Sequence, residues 1–256
     1  MIKLDKLTKR FGAQIAVDAL SFEIPAGQIV GFLGPNGAGK STTLKMLTGM
    51  LMPSGGQATV AGYDLQTQTL EVKRNVGFVP ESGAVFESLT GLEYLEMVAA
   101  LYGIPRNAAL LRIRQFIAFF DLSFETLTDK LLGAYSKGMR RKVVITSGLL
   151  HNPPIVFFDE PLDGLDANAA LGFKTLIQTL AREGKTIVYS SHILDVVEKV
   201  CHRIIIIDKG KLLLDGKPDE LVAAHQSGSL EKLFTSLTGG AELERRAEDF
   251  ARTFRP

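Results

Sequence analysis

The chain has 256 residues, 46% of them hydrophobic, enough for one large domain or one domain with an inserted lobe. Lysine plus arginine (29) nearly balance aspartate plus glutamate (28), so no global field argues for nucleic acid or for disorder. The single cysteine, Cys201, rules out a disulfide within the chain and is expected to be a packed core residue, and no run of about 18 apolar residues offers a bilayer span. The lone cysteine favours a reducing, cytoplasmic compartment, and no secretory signal is visible in Met1-Ile2-Lys3-Leu4-Asp5.

In chain order, short strand patterns alternate with helical ones, which predicts an α/β sheet. Residues 28–33 are a compact apolar run, a predicted strand leading into a glycine-rich segment. Residues 42–48 have helical spacing and stop at Gly49. Pro53-Ser54-Gly55-Gly56 predicts a turn, with a strand at 57–61 and another at 76–80. Thr90-Gly91-Leu92-Glu93 has capping-box spacing, and Leu92, Leu95, Ala99 and Tyr102 follow at helical intervals. Further helices are expected at 107–120 and 137–150, so residues 85–150 read as a helical lobe between strands. The apolar run 155–158, bounded by Pro154 and Asp159, predicts a strand buried on both faces. Strands at 186–190 and 204–207 complete the set, and the charged stretch 241–256 predicts a surface helix or a frayed tail.

Three segments carry chemistry. Gly34-Pro35-Asn36-Gly37-Ala38-Gly39-Lys40-Ser41 fits G-x-x-x-x-G-K-[ST], with an apolar strand before it and a helix after it. Glycines let the backbone wrap phosphates with its N–H groups, and the helix adds its positive N-terminal end. Lys40 supplies a mobile charge for the terminal phosphates, and the Ser41 hydroxyl can ligate Mg²⁺. Second, Asp159 and Glu160 end the 155–158 strand, at the carboxyl edge that a parallel sheet shares with the loop. Asp159 would hold Mg²⁺, and Glu160 would orient and deprotonate an attacking water. Third, Ser190-Ser191-His192 ends the next strand, where His192 can reach a γ-phosphate. His151, His202 and His225 have no such context and are expected to be structural.

With these motifs in this order, residues 1–238 resemble the ATP-binding subunits of ABC transporters. The resemblance implies a P-loop NTPase core: a mostly parallel sheet with flanking helices, an antiparallel N-terminal β portion and an inserted helical lobe. Tyr135-Ser136-Lys137-Gly138-Met139, followed by Arg140, Arg141 and Lys142, stands where the family has Leu-Ser-Gly-Gly-Gln. Ser136 is also a natural N-cap for the next helix. In the family this segment reaches the γ-phosphate held by the opposite subunit, so Ser136 and Gly138 of a second, similar chain would close over ATP. Pro161-Leu162-Asp163-Gly164-Leu165-Asp166 resembles the D-loop region, where Asp166 would join the subunits. His192 matches the switch histidine, and Phe11 lies where the family stacks an aromatic on adenine, with a core position as the lesser alternative. Thr42 extends the nucleotide-binding set from Gly34, Pro35, Asn36, Gly37, Ala38, Gly39, Lys40 and Ser41.

Two departures stand out. Glu81 replaces the usual glutamine after the 76–80 strand; as a carboxylate it can still ligate Mg²⁺ but adds negative charge beside phosphates. Tyr135 and Lys137 replace the usual leucine and glycine. Together with Leu230-Glu231-Lys232-Leu233-Phe234, these variants look like the exporter-type branch, whose membrane subunits are separate chains. The resemblance therefore implies an ATPase, peripheral on the inner face of a membrane, with a transmembrane permease partner and a second ATP-binding subunit. Import stays open on this reading. The alternative, a soluble ABC ATPase acting on DNA or ribosomes, is disfavoured by the single phosphate loop and the near-neutral charge. Residues 239–256 would form a charged appendage outside the ATPase domain.

Overall fold

A computed structural model describes residues 1–240, 246–247, 250 and 252–254. Two sheets organise the chain. Strands β1 (Ile2–Phe11) and β2 (Gln14–Ile24) form an antiparallel pair. The chain then enters the second sheet through β3 (Ile29–Leu33) and makes helix α1 (Lys40–Leu47). It returns with β4 (Gly55–Val60) and β5 (Tyr63–Asp64), which complete a four-stranded antiparallel sheet in the order β2-β1-β4-β5.

The remaining elements belong to the second sheet and its covers. Helix α2 (Thr69–Asn75) leads into β6 (Val76–Val79). Helices α3 (Gly91–Leu101), α4 (Arg106–Phe119), α5 (Phe124–Asp129) and α6 (Lys137–Leu149) come next. Strand β7 (Ile155–Asp159), helix α7 (Ala167–Arg182), strand β8 (Thr186–Ser190) and helix α8 (Leu194–Val200) follow. Strands β9 (Arg203–Asp208) and β10 (Lys211–Gly216) and helices α9 (Pro218–Ala224) and α10 (Leu230–Thr238) end the regular structure. The sheet order is β10-β9-β3-β8-β7-β6, parallel except for β10. The expected α/β class, with an antiparallel N-terminal portion, is what the chain builds.

Side chains on the central strands alternate between two cores, as a period of two requires. Val30, Phe32, Ile155 and Phe157 face the antiparallel sheet and α1. Ile29, Leu33, Val156 and Phe158 face α6, α7, α8 and α10. That is why these strands read as unbroken apolar runs. A third cluster, including Leu95, Ile113, Leu127 and Val143, lies within the helices between β6 and β7. Thr90 caps α3 as its spacing predicts: its hydroxyl accepts from the Glu93 N–H at 3.2 Å, and the Glu93 carboxylate accepts from the Thr90 N–H at 2.8 Å.

Some elements differ from the sequence reading. Helix α1 begins at Lys40, two residues before the spacing suggested, because its first turn lies inside the glycine loop. Gly55 and Gly56 belong to β4 and not to a turn. Gly56 has φ +74° and sits at a register shift opposite β1, where a Cβ would collide with the Lys6 carbonyl. Cys201 is buried as expected, and burial raises its thiol pKa. His202 Nδ1 accepts from the Ile29 N–H at 3.1 Å, tying the connection between α8 and β9 to the start of β3. The predicted tail lies largely outside the described residues.

Candidate functional site

The register of the parallel sheet decides what meets at its carboxyl edge. Gly31 pairs with Tyr189, and Asp159 with Ser190. The loop after β3, the acidic pair ending β7 and the histidine after β8 therefore share one crevice. It encloses about 790 Å³ and is lined by Phe11, loop residues Asn36, Gly37, Gly39, Lys40, Ser41 and Thr42, and by Glu81, Asp159, Glu160 and His192.

The loop is fastened from both sides. Gly39 has φ +103°, and a Cβ there would strike the carbonyl of Ala16 on β2. The Gly210 N–H donates to Ala38 O at 2.9 Å, and the Asp18 N–H donates to Gly210 O at 2.9 Å. Lys40 Nζ donates to Gly34 O at 2.6 Å and Pro35 O at 3.1 Å. Gly34 and Pro35 thus present carbonyls to the lysine, and Ala38 is buried; none of the three lines the crevice. Burial lowers the Lys40 pKa, opposed by the charges of Glu160, Asp159 and Glu81. Phe11, at the end of β1, is 50% exposed, which removes the core reading of that ring.

Across the crevice, Asp159 is buried at the end of β7. Glu160 follows with φ +49°, a left-handed conformation that side chains other than glycine seldom take. Its Oε2 lies 2.9 Å from His192 Nδ1. The carboxylate is well covered, at 13% exposure, whereas the imidazole is 75% exposed at the mouth. Burial raises the Glu160 pKa, and contact with His192 partly offsets the rise. A well-covered carboxylate with a raised pKa, held against an imidazole, is equipped to take a proton from water.

Ser136, Gly138 and Asp166 lie elsewhere. Ser136 caps α6, accepting from the Met139 N–H at 3.2 Å, and Asp166 caps α7, accepting from the Ala169 N–H at 2.8 Å. Both residues are exposed. An ion pair of 2.7 Å between Lys137 and Asp163 joins the start of α6 to the turn before α7. Ser136, Gly138 and Asp166 do not line the crevice.

A further side chain joins several loops around the crevice, and its sequence context does not mark it. Arg141, within the basic run after Gly138, is 3% exposed. Its guanidinium donates to the carbonyls of Pro80 (2.7 Å), Glu81 (2.9 Å), Glu160 (3.0 Å) and Asp163 (3.3 Å). A run of cations reads as a solvated face, and backbone acceptors leave no trace in sequence.

A glycine-rich loop between a parallel strand and a helix, facing carboxylates from the next strands, places the chain in the class of P-loop nucleotide-binding proteins. Residues 17–163 match the family described as ABC transporter. The chain is 38% identical to the ABC transporter ATP-binding protein NatA of Bacillus subtilis, over 92% of this chain and 97% of that one. It is 35% identical to the Nod factor export ATP-binding protein I of Ralstonia nicotianae, over 89% and 70%. It is 38% identical to an uncharacterized ABC transporter ATP-binding protein of Nostoc sp., over 83% of this chain, and spans 63% of that relative's length. Among solved structures, an ATP-binding subunit of an ABC transporter superposes with a TM-score of 0.86 at 30% identity, covering 93% and 99%. A dimeric ATP-binding cassette in a post-hydrolysis state with ADP and Pi superposes at 0.77 and 25%, covering 85% and 98%. The chain belongs to the ABC transporter family, as an ATP-binding subunit.

Proposed function

We propose that this chain hydrolyses ATP with Mg²⁺ as half of a dimer and drives export through separate transmembrane permease subunits, working at the cytoplasmic face of the membrane. The observation that carries the reading is the Glu160–His192 contact of 2.9 Å, facing Lys40 across one crevice. In this assignment Lys40, the Asn36–Gly39 amides and Thr42 hold the phosphates, and the exposed Phe11 ring stacks on the base. Glu160 takes the proton of the attacking water. His192 orients Glu160 and meets the γ-phosphate.

Ser41, Asp159 and Glu81 all line the crevice and offer hard oxygen donors. Mg²⁺ takes one or two carboxylates and completes its shell with water and phosphate oxygens, and Asp159 with Ser41 meets that demand. The bound ion would withdraw charge from the phosphates.

Ser136 and Gly138 of a second copy or a related chain would close the site, with Asp166 at the joint. The exposure of Ser136 and Asp166 supports this, as does the dimeric form of the structural relative. Export is favoured by the name of the Nod factor relative. No helix among the described residues is long and apolar enough to cross a membrane, and the proposal assigns the crossing to the partner. The proposed contact surface for that partner is the helical lobe near residues 82–105, where Val98, Leu101 and Tyr102 line a cleft of about 310 Å³. Residues 1–238 would be the ATPase domain, with the α3–α6 lobe inserted and 239–256 appended.

The test is Glu160→Gln. Turnover should fall by a factor of about 100 or more, while ATP converts the chain to a dimer by size-exclusion chromatography. Turnover at the unsubstituted rate would move the base elsewhere.

A further inference from the structure

We infer that Arg141 is a positioning residue for hydrolysis, pinning the backbone of Glu160 and Glu81 from helix α6. The inference rests on Glu160 being the base. Three observations support it.

First, the guanidinium is nearly sealed from solvent, yet among the described residues no carboxylate lies within ion-pair distance of it. Burying a cation is costly unless its donors are satisfied. Burial lowers the Arg141 pKa, while Asp163, Glu81, Asp159 and Glu160 raise it from farther away. Four converging carbonyls, from Pro80, Glu81, Glu160 and Asp163, supply the satisfaction. A planar fork of five donors suits that array; a lysine ammonium cannot span it.

Second, the acceptor at Glu160 belongs to a strained residue. A φ of +49° costs energy for any side chain beyond Cα and persists only where the surroundings impose it. Here the Glu160 N–H donates to Ser190 O at 3.0 Å, and its carbonyl accepts from the Asp163 N–H at 3.2 Å and from Arg141. Losing Arg141 removes one of three restraints. Relaxation of φ would swing the carboxylate away from His192.

Third, Arg141 lies on the helix that Ser136 caps. Positions five apart on a helix point to roughly opposite sides. Ser136 faces solvent while Arg141 reaches into the loops behind. Any displacement of the N-terminus of α6 therefore pulls on Pro80, Glu81 and Glu160 together. The closing of a second subunit on Ser136 would be passed to the base by this route.

The experiment measures ATP turnover, ATP affinity by calorimetry and melting temperature for Arg141→Met, Arg141→Gln and Arg141→Lys, beside Glu160→Gln. Arg141→Met should lower kcat by about ten- to a hundredfold and leave ATP affinity within about twofold. Arg141→Lys, with one compact donor group, should recover only part of the rate. If Arg141→Met does not fold, the same criteria apply to the Gln and Lys variants. Full activity in folded Arg141 variants, with Glu160→Gln stalled, would overturn the inference alone. So would a rate loss that tracks the melting temperature or comes with an equal loss of affinity, since that is a merely structural role. A normal rate for Glu160→Gln would overturn the base assignment and this inference with it.

Discussion

The phosphate loop and the start of α6 both lie at helix N-termini, but they are finished differently. The loop is complete within its own chain. Gly39 packs on Ala16, Gly210 holds Ala38, and Lys40 is satisfied by two carbonyls of the loop itself. The start of α6 is held only from behind. Ser136 serves one amide of its own helix and is otherwise exposed, while Lys137 and Arg141 anchor the turn to Asp163 and the loops beneath. A nucleotide pocket can be preorganised by one subunit, whereas the surface that would complete it is rigid at the back and open at the front. Preorganisation spends ordering entropy before binding, and the open face leaves closure to association.

Substitutions can break this contrast. The largest effect belongs to Lys40→Ala, which should abolish most ATP affinity of the isolated chain; unchanged binding by calorimetry would place the phosphates elsewhere. Ser136→Ala should divide the phenotype. Losing the cap costs about 1 kcal/mol of stability, and ATP affinity of the single chain should stay intact. Turnover should still fall by about tenfold; a full rate would detach the α6 surface from catalysis. Glu81→Gln restores the commoner residue of the family and should change turnover by less than about tenfold. A complete loss would make its negative charge a requirement.

The smallest effect lies away from the crevice. His151 stacks on Tyr102 at 3.7 Å, and burial lowers its pKa to about 4. The unfolded chain therefore takes up a proton near pH 6.5 that the folded chain resists. Its contribution to stability is present above pH 6.5 and is lost as pH falls towards 4. His151→Phe should flatten that part of the melting-temperature profile, and an unaltered acid limb would remove His151 from the acid response.

How much of this was written in the sequence depended on distance along the chain. The phosphate loop, the Thr90 capping box and the strand ending in Asp159 are local patterns, and each was legible. Helix α7 was not, although Asp166 begins it and Phe173, Ile177 and Ala181 repeat at intervals of four. The exposed Leu171 on the same helix blurs that repeat. Burying Phe173 and Ile177 is worth about 1.5–3 kcal/mol each, so that helix matters to the fold. The exposure of Phe11 could not be read either, since a phenylalanine beside Gly12 fits a core or a surface. The four acceptors of Arg141 are carbonyls from segments 19 to 61 residues away, and only the folded chain brings them together.

The fastening of the phosphate loop has a consequence for the whole molecule. Asp18 belongs to the antiparallel sheet, Gly210 to the turn at the edge of the parallel one, and Ala38 to the loop between them. The three form a seam across the two halves of the core. A ligand that binds the folded loop and not the unfolded chain stabilises that seam by mass action. Nucleotide then acts as mortar as well as fuel, and the solvent exchange of the Asp18 and Gly210 amides records how firmly the two sheets are joined.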